Sequence, residues 1–288
     1  MQSNEALAQE FERNREMLLA VAYRMLGSRT EAEDVVQEAW LRLEKHAIEP
    51  IENLPGWLRT VVARLCLDQL RGRKARREES IEQAGVAPML APEDSEREAQ
   101  LADSVGLAML VVLQNLSPAE RVAFVMHDMF DLSFDEVGRV LGRSAVATRQ
   151  LASRARRRVR GISPMPASDL AEQRRVVDAY LTAARQGDLN GLMAVLDPEV
   201  VIRMDQAAVA AGGVGELRGA ADVARVAVAA RARAASPALI NGQIGLVVAP
   251  FGRLRLVVLM TFRGGAIAGI DIVADPARLA GLELGVLP

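Results

Sequence analysis

Residues 134–160 read FDEVGRVLGRSAVATRQLASRARRRVR, and from Arg139 to Arg160 the stretch holds eight arginines and no acid. Phe134, Val137 and Leu141 fall on one face of a short helix that Ser133 is placed to cap. Gly142 permits a tight turn, because glycine enters left-handed backbone without steric cost. Ser144 then caps a second helix on which Ala147, Leu151, Ala155 and Val159 recur every fourth residue. Two short helices across a glycine-containing turn form a helix-turn-helix. A merely soluble arginine-rich helix would mix in glutamates for i,i+4 pairing, and this one has none. The stretch is therefore expected to meet a polyanion. Ala145, Val146, Thr148, Arg149 and Gln150 form its groove-facing end, where Arg and Gln can make bidentate contacts to guanine and adenine edges. The later arginines can neutralise phosphates and hold the register.

Beyond this stretch the chain is not basic, with 35 Lys and Arg against 37 Asp and Glu. Charge is segregated instead. Residues 71–77, RGRKARR, hold five basic groups and no acid; residues 78–103 hold eight acids against Arg97 alone; residues 165–288 hold twelve of each. Local sign then matters more than the sum. The 288 residues suggest about two domains. Half of them are hydrophobic but only 3% aromatic, so the cores must be built from Leu, Val, Ala and Met. Cys66, the single cysteine, excludes an intramolecular disulfide and fits a reducing compartment. Its apolar helical surroundings make it an inert core thiol. The polar, acidic N-terminus is no signal peptide, and no apolar run approaches the roughly 20 residues of a membrane span. A cytoplasmic protein without membrane contact is expected.

Working outward toward the N-terminus, Leu18, Val21, Ala22, Met25 and Leu26 make one helical stripe, which Gly27 ends. Thr30, with Glu33 three residues on, is expected to cap the next helix. That helix buries Val35, Val36, Ala39, Trp40 and Leu43 and shows Asp34, Gln37 and Glu38 on its other face. A third helix is expected from Trp57 to Arg71. Residues 78–98, with Pro88 and Pro92, read as a linker. An apolar helix begins near Ser104. Ser117-Pro118-Ala119-Glu120 is a helix start, with Ser at the N-cap, Pro at N1 and Glu at N3, and that helix should run to Phe130. After Gly161 and the SPMP segment the pattern changes. Helices over 169–186, 188–196 and 220–235, a strand at 200–204, and β-rich runs near 239–248, 253–263 and 266–273 suggest an α+β sheet curled around a helix.

Three segments, MLLAVAYRMLGSRTEAEDVVQEAWLRL, PGWLRTVVARLCLDQLRGRKARR and LSPAERVAFVMHDMFDLSFDEVGRVLGRSAVATRQLASRARRRVR, together resemble the extracytoplasmic-function sigma factors of bacterial RNA polymerase. The resemblance covers most of residues 15–160, with two motif blocks in the family's order. It implies two all-α domains: region 2 over 1–77, which holds core polymerase and melts the −10 element, and a helix-turn-helix region 4 over 104–161, which reads the −35 element. The acidic linker, 78–103, would join them. The resemblance assigns Asp34, Gln37 and Glu38 to the polymerase contact; the plainer alternative is the solvated face of an amphipathic helix. It places Glu52, Asn53 and Leu54 in the loop that captures an unstacked base, with Trp57 either stacking on a base or packing in the core. Arg59, Arg64, Arg71, Arg73 and Lys74 would line the strand path. At the −35 element it implies Ser144, Ala145, Thr148, Arg149, Gln150, Ser153, Arg154 and Arg157.

The remaining segment, 168–288, looks like a SnoaL-like domain of the NTF2-like α+β fold. The subgroup that carries such a domain has an Asn-Pro-Asp-Lys-Leu-type motif, here reduced to Ala274-Asp275-Pro276-Ala277-Arg278-Leu279, and an Asp-Gly-Gly-Gly motif, here reduced to Asp205 and the later Gly212-Gly213. Arg203, Asp205, Asn241 and Asp271 are candidate pocket groups, and Asp275 a candidate docking group. The segment has no histidine, and catalysis, a metal and a cofactor are not expected. The expected partners are core RNA polymerase and promoter DNA, and the C-terminal domain is expected to modulate activity, either by packing on the sigma domains or by sensing an unidentified small apolar ligand. The competing readings are a helix-turn-helix regulator with a ligand-sensing domain, and an NTF2-like enzyme fused to DNA-binding helices.

Overall fold

The computed structural model describes residues 2–46, 51–79, 106–161, 163–230 and 235–287. It divides into two compact units: residues up to Ala84 with Leu113–Arg157, and Gly85–Val112 with Arg158–Pro288. Most of the acidic linker, the start of the helix expected at Ser104 and the end of the one expected to reach 235 lie outside the described residues.

In the first unit, α1 (Gln2–Leu26), α2 (Arg29–His46) and α3 (Leu54–Glu79) pack against one another. The stripe of Leu18, Val21, Ala22, Met25 and Leu26 is buried against Val35, Val36, Ala39 and Leu43 of α2 and Leu58, Val62 and Leu70 of α3. Each fully buried large aliphatic side chain contributes about 1.5–3 kcal/mol. Phe11 and Trp40 add a tilted aromatic pair at 5.1 Å. Gly27 ends α1 with a φ of 71°. The cap of α2 is Ser28, whose hydroxyl accepts from the Glu31 N–H, and not Thr30, which lies exposed one residue inside the helix. Cys66 is buried, and burial pushes its thiol pKa up, as suits an inert core group.

After α4 (Leu107–Gln114), the capping box at Ser117 and Glu120 opens α5 (Pro118–Phe124) as the sequence predicts. The helix does not continue regularly to Phe130. It widens into a π-turn over Val125–Met129, and Asp131 takes a φ of 55°. A second capping box, Ser133 with Glu136, opens α6 (Phe134–Leu141), and the left-handed Gly142 leads into α7 (Ala145–Arg160). Gly138 is the close approach that the sequence does not mark. A Cβ there would sit 2.6 Å from the Arg143 carbonyl oxygen.

The second unit holds α8 (Ala167–Gln186), α9 (Leu189–Val195), α10 (Gln206–Ala210), α11 (Ala220–Ala230) and α12 (Pro276–Ala280). Its strands are β1 (Leu196–Met204), β2 (Glu216–Arg218), β3 (Ala235–Ile240), β4 (Gln243–Val248), β5 (Leu256–Arg263), β6 (Ala266–Val273) and β7 (Leu284–Gly285). They form one sheet in the order β2-β1-β6-β5-β4-β3-β7, with β1 and β6 parallel and the other pairs antiparallel. Val177, Leu181, Leu192, Val223 and Ala227 from the helices pack on Ile202, Ile244, Leu246, Met260 and Ile270 of the sheet. The run expected at 239–248 is a hairpin broken at Asn241-Gly242, both at positive φ. Asn-Gly between apolar runs is the standard signal for such a turn. The segment after α7 is tied down: Ser163 donates to the Gly242 carbonyl at 2.7 Å, and Gly161 meets Gly285 backbone to backbone.

Candidate nucleic-acid interface

Helix α7 buries Thr148, Leu151, Ala152, Ala155 and Val159. At about 100° per residue the opposite face carries Val146, Gln150, Ser153 and Arg157, at i, i+4, i+7 and i+11, and all four are exposed. Ser144 caps the helix, its hydroxyl accepting from the Ala147 N–H at 3.3 Å. Ala145 is half-buried. Thr148 requires a correction to the sequence reading. Its side chain is fully buried, and its hydroxyl donates to the Ser144 carbonyl at 2.9 Å, so it faces the packing side and not a groove. The reason is Gly138, which leaves room for Thr148 to fill.

The arginines divide by environment. Arg149 stands 5.1 Å over the Phe134 ring, a cation–π contact that holds it beside the helix start. Arg154 pairs at 3.3 Å with Glu120, whose carboxylate is buried, and Arg156 pairs with Asp128. Among the described residues Arg139, Arg143 and Arg157 enter no ion pair. Arg139 and Arg143 flank an open recess of about 480 Å³, which Ser144, Ala145 and one acid, Asp135, also line. The N-terminus of α7 beside two guanidinium groups suits a phosphate. The helix thus presents polar and apolar groups outward, with cations on its flanks.

The face assigned to polymerase is exposed: Asp34, Gln37 and Glu38 all project from α2, and Glu38 pairs with Arg42 at 3.0 Å. The base-capture candidates lie at the start of α3. Glu52 and Asn53 are exposed, and Leu54 and Trp57 half-buried. Asn53 also has a structural task, since its Oδ1 accepts from the Gly56 N–H at 3.0 Å. Arg59 donates to the Pro55 carbonyl at 3.3 Å, and exposed Arg71 lies 3.9 Å from Asp68. Arg64 reaches the Arg139 carbonyl at 3.2 Å, so the structure brings a strand-path candidate to the helix-turn-helix. Arg73 is drawn inward, pairing with Glu31 and donating to the Leu26 carbonyl. The side chain of Lys74 lies outside the described residues. The sequence reading missed Arg121, a buried guanidinium that donates to Met25 and Gln114 carbonyls at 2.7 and 2.8 Å. Its sequence signal is a cation beside Glu120 in a short helix whose remaining residues are apolar.

In the second unit the candidates separate. Arg203 lies 3.9 Å from Asp271 and 3.7 Å from Glu216 across neighbouring strands β6 and β2. Asn241 sits at the β3–β4 turn, across the sheet, where its Oδ1 accepts from the Glu283 N–H. Asp205 is a structural acceptor. It takes the N–H groups of Ala208, Ala274 and Asp275 at 2.9–3.0 Å and lies 3.4 Å from the Arg278 guanidinium. Burial works to raise its pKa, yet the three amides and Arg278 together hold it below the ordinary value. Asp275 caps α12 by accepting from the Arg278 N–H. The remnants of the two degraded motifs therefore meet in one hydrogen-bonded turn. Of the four candidate pocket groups, Arg203 and Asp271 are brought together, Asp205 is taken up by this turn, and Asn241 lies across the sheet. Among the described residues no group of three or more acids, histidines or cysteines is placed to hold a metal, and no helix is long and apolar enough to cross a membrane.

Comparison with known proteins bears on both units. Residues 11–76 match the family description Sigma-70 region 2, and residues 107–159 match Sigma-70, region 4. A probable ECF RNA polymerase sigma factor, SigI of Mycobacterium tuberculosis, is 36% identical over 71% of this chain and 72% of its own. The ECF RNA polymerase sigma factor SigJ of Mycobacterium tuberculosis is 34% identical over 96% of this chain and 94% of its own. A crystal structure of that SigJ aligns over 95% of this chain and 98% of its own at 31% identity, with a TM-score of 0.45.

Proposed function

The chain belongs to the extracytoplasmic-function sigma factors of RNA polymerase, and on that premise we propose that it binds core polymerase through α2 and directs it to promoters through α3 and α7. The observation that carries the reading is the outer stripe of α7. Gln150, Ser153 and Arg157 are exposed directly opposite the face that α7 packs into its own unit. This is where a helix-turn-helix meets the major groove. Region 2 then corresponds to residues 1–77 and region 4 to 104–161, with 78–103 as the linker. Glu52, Asn53, Leu54 and Trp57, with Arg59, Arg64 and Arg71, serve the −10 strand; Asp34, Gln37 and Glu38 serve the polymerase. The chain itself carries out no covalent chemistry.

Residues 168–288 form an NTF2-like domain that modulates this activity. Supporting this are its fold, helices packed on a seven-stranded mixed sheet, and an alignment with a sigma factor of the family that runs nearly the full length of both chains. Of the polar groups expected to line a ligand pocket, Arg203 and Asp271 meet on neighbouring strands while Asn241 lies across the sheet, tied to the Glu283 N–H. Run-off transcription from genomic DNA, with purified core polymerase and the full-length chain, tests the proposal. Discrete transcripts that require both components are expected. Sequence-specific DNA binding without core-dependent transcripts would overturn it in favour of an ordinary helix-turn-helix regulator.

A further inference from the structure

Val146 is 67% exposed, whereas the other exposed large apolar side chains among the described residues are 42–53% exposed. It occupies the first turn of α7, opposite the buried face and in line with Gln150, Ser153 and Arg157. Local structure does not call for it. Valine forms helix less readily than alanine, which flanks it on both sides, and its branched side chain stands in water. Its surroundings are cationic, with Arg143 one turn before and Arg149 one turn after, which favours a polyanion over an apolar protein partner. Recognition helices touch base edges with their N-terminal residues. Valine offers no donor or acceptor there, and the apolar feature of the major groove is the C5-methyl of thymine.

Resting on the reading of α7 as the promoter-reading helix, we infer that Val146 determines specificity by packing on a thymine methyl in the −35 element. The methyl is buried between the valine γ-carbons and the base edge, while Gln150, one turn on, reads a neighbouring base by hydrogen bonds. The contact selects thymine over cytosine at one position without any charge, so it leaves the salt dependence of binding unchanged.

The test uses holoenzyme assembled from core polymerase and the full-length chain, on a promoter it transcribes. Each thymine of the −35 element, on either strand, is replaced in turn by deoxyuridine, which removes only the methyl. Wild-type affinity should fall about fourfold at one position, the worth of one buried methyl group. Val146→Ala should bind the thymine promoter about fourfold more weakly and be indifferent to deoxyuridine at that position. Val146→Thr, which keeps one methyl, should retain part of the discrimination. A Val146→Ala holoenzyme with the same deoxyuridine penalty as wild type would overturn the inference. So would a wild type that depends on the −35 sequence yet tolerates deoxyuridine at every position. If scrambling the whole −35 element left wild-type binding unchanged, the reading of α7 itself would fall, and the inference with it.

Discussion

Gln150 and Arg157 lie on the same face of α7, nearly two turns apart, and they are expected to do different work. Gln150→Ala should cost about 1–3 kcal/mol and relax selectivity at one base pair. Arg157→Ala should weaken binding to −35 DNA of any sequence and lower the salt slope by about one unit. Holoenzyme binding measured across a salt series on matched and single-mismatch promoters separates them. Equal, sequence-independent losses would reject the division. On α2, reversing the charge of Asp34 and Glu38 should weaken core-polymerase binding while leaving the melting temperature nearly unchanged, because exposed substitutions usually cost within about 0.5 kcal/mol. Unchanged capture of core polymerase would reject the assigned face. These outward residues were legible from periodicity alone. Thr148 was not. Its hydroxyl reads as a DNA contact until the bare backbone of Gly138 is seen to admit it into the packing. Arg154, Arg156 and Arg73 read as phosphate or strand contacts in the same way, whereas their partners Glu120, Asp128 and Glu31 come from distant helices.

At the scale of elements, helix starts were the most legible features. Both capping boxes, at Ser117 and Ser133, form as the Ser-x-x-Glu spacing predicts. Thr30 failed because Ser28 stands directly after the left-handed Gly27, where the chain turns, so the helix begins earlier. The π-turn after α5 and the short edge strands β2 and β7 carry no periodic signal. Asp205 shows an element held by a single side chain, since it caps α10 and binds the amides of the Ala274-Asp275 turn. Asp205→Ala should destabilise the second unit by about 1–3 kcal/mol at neutral pH, leaving three amides without their acceptor. Because the folded pKa of Asp205 lies below its unfolded value, this contribution is complete above the unfolded pKa and is lost as pH falls through the folded one. The gap between wild type and variant in thermal unfolding should therefore be full at pH 6 and narrow below about pH 4. A gap that grows on acidification would contradict the assigned role.

For the whole molecule, the decisive experiment is removal of the C-terminal domain. Full-length chain, a chain ending at Gly161, one ending before Asp275, and Asp275→Ala are compared by run-off transcription at equal concentration. The three variants should differ from full length, and the two truncations from each other. Equal yields in all four would show that the domain does not regulate within the molecule. The sequence by itself determined the family, the order of helical and α+β segments, and the outward faces of α2 and α7. These depend on local spacing, on 3.6-residue periodicity and on charge runs that a reader of one chain can count. Only the tertiary structure decided which arginines are engaged inside the protein and why Thr148 is buried. It also showed that Asp205 and Asp275 belong to one turn while Arg203 and Asn241 lie apart. Most of those facts join residues far apart in the chain, and backbone spacing carries no record of which side chains packing brings together.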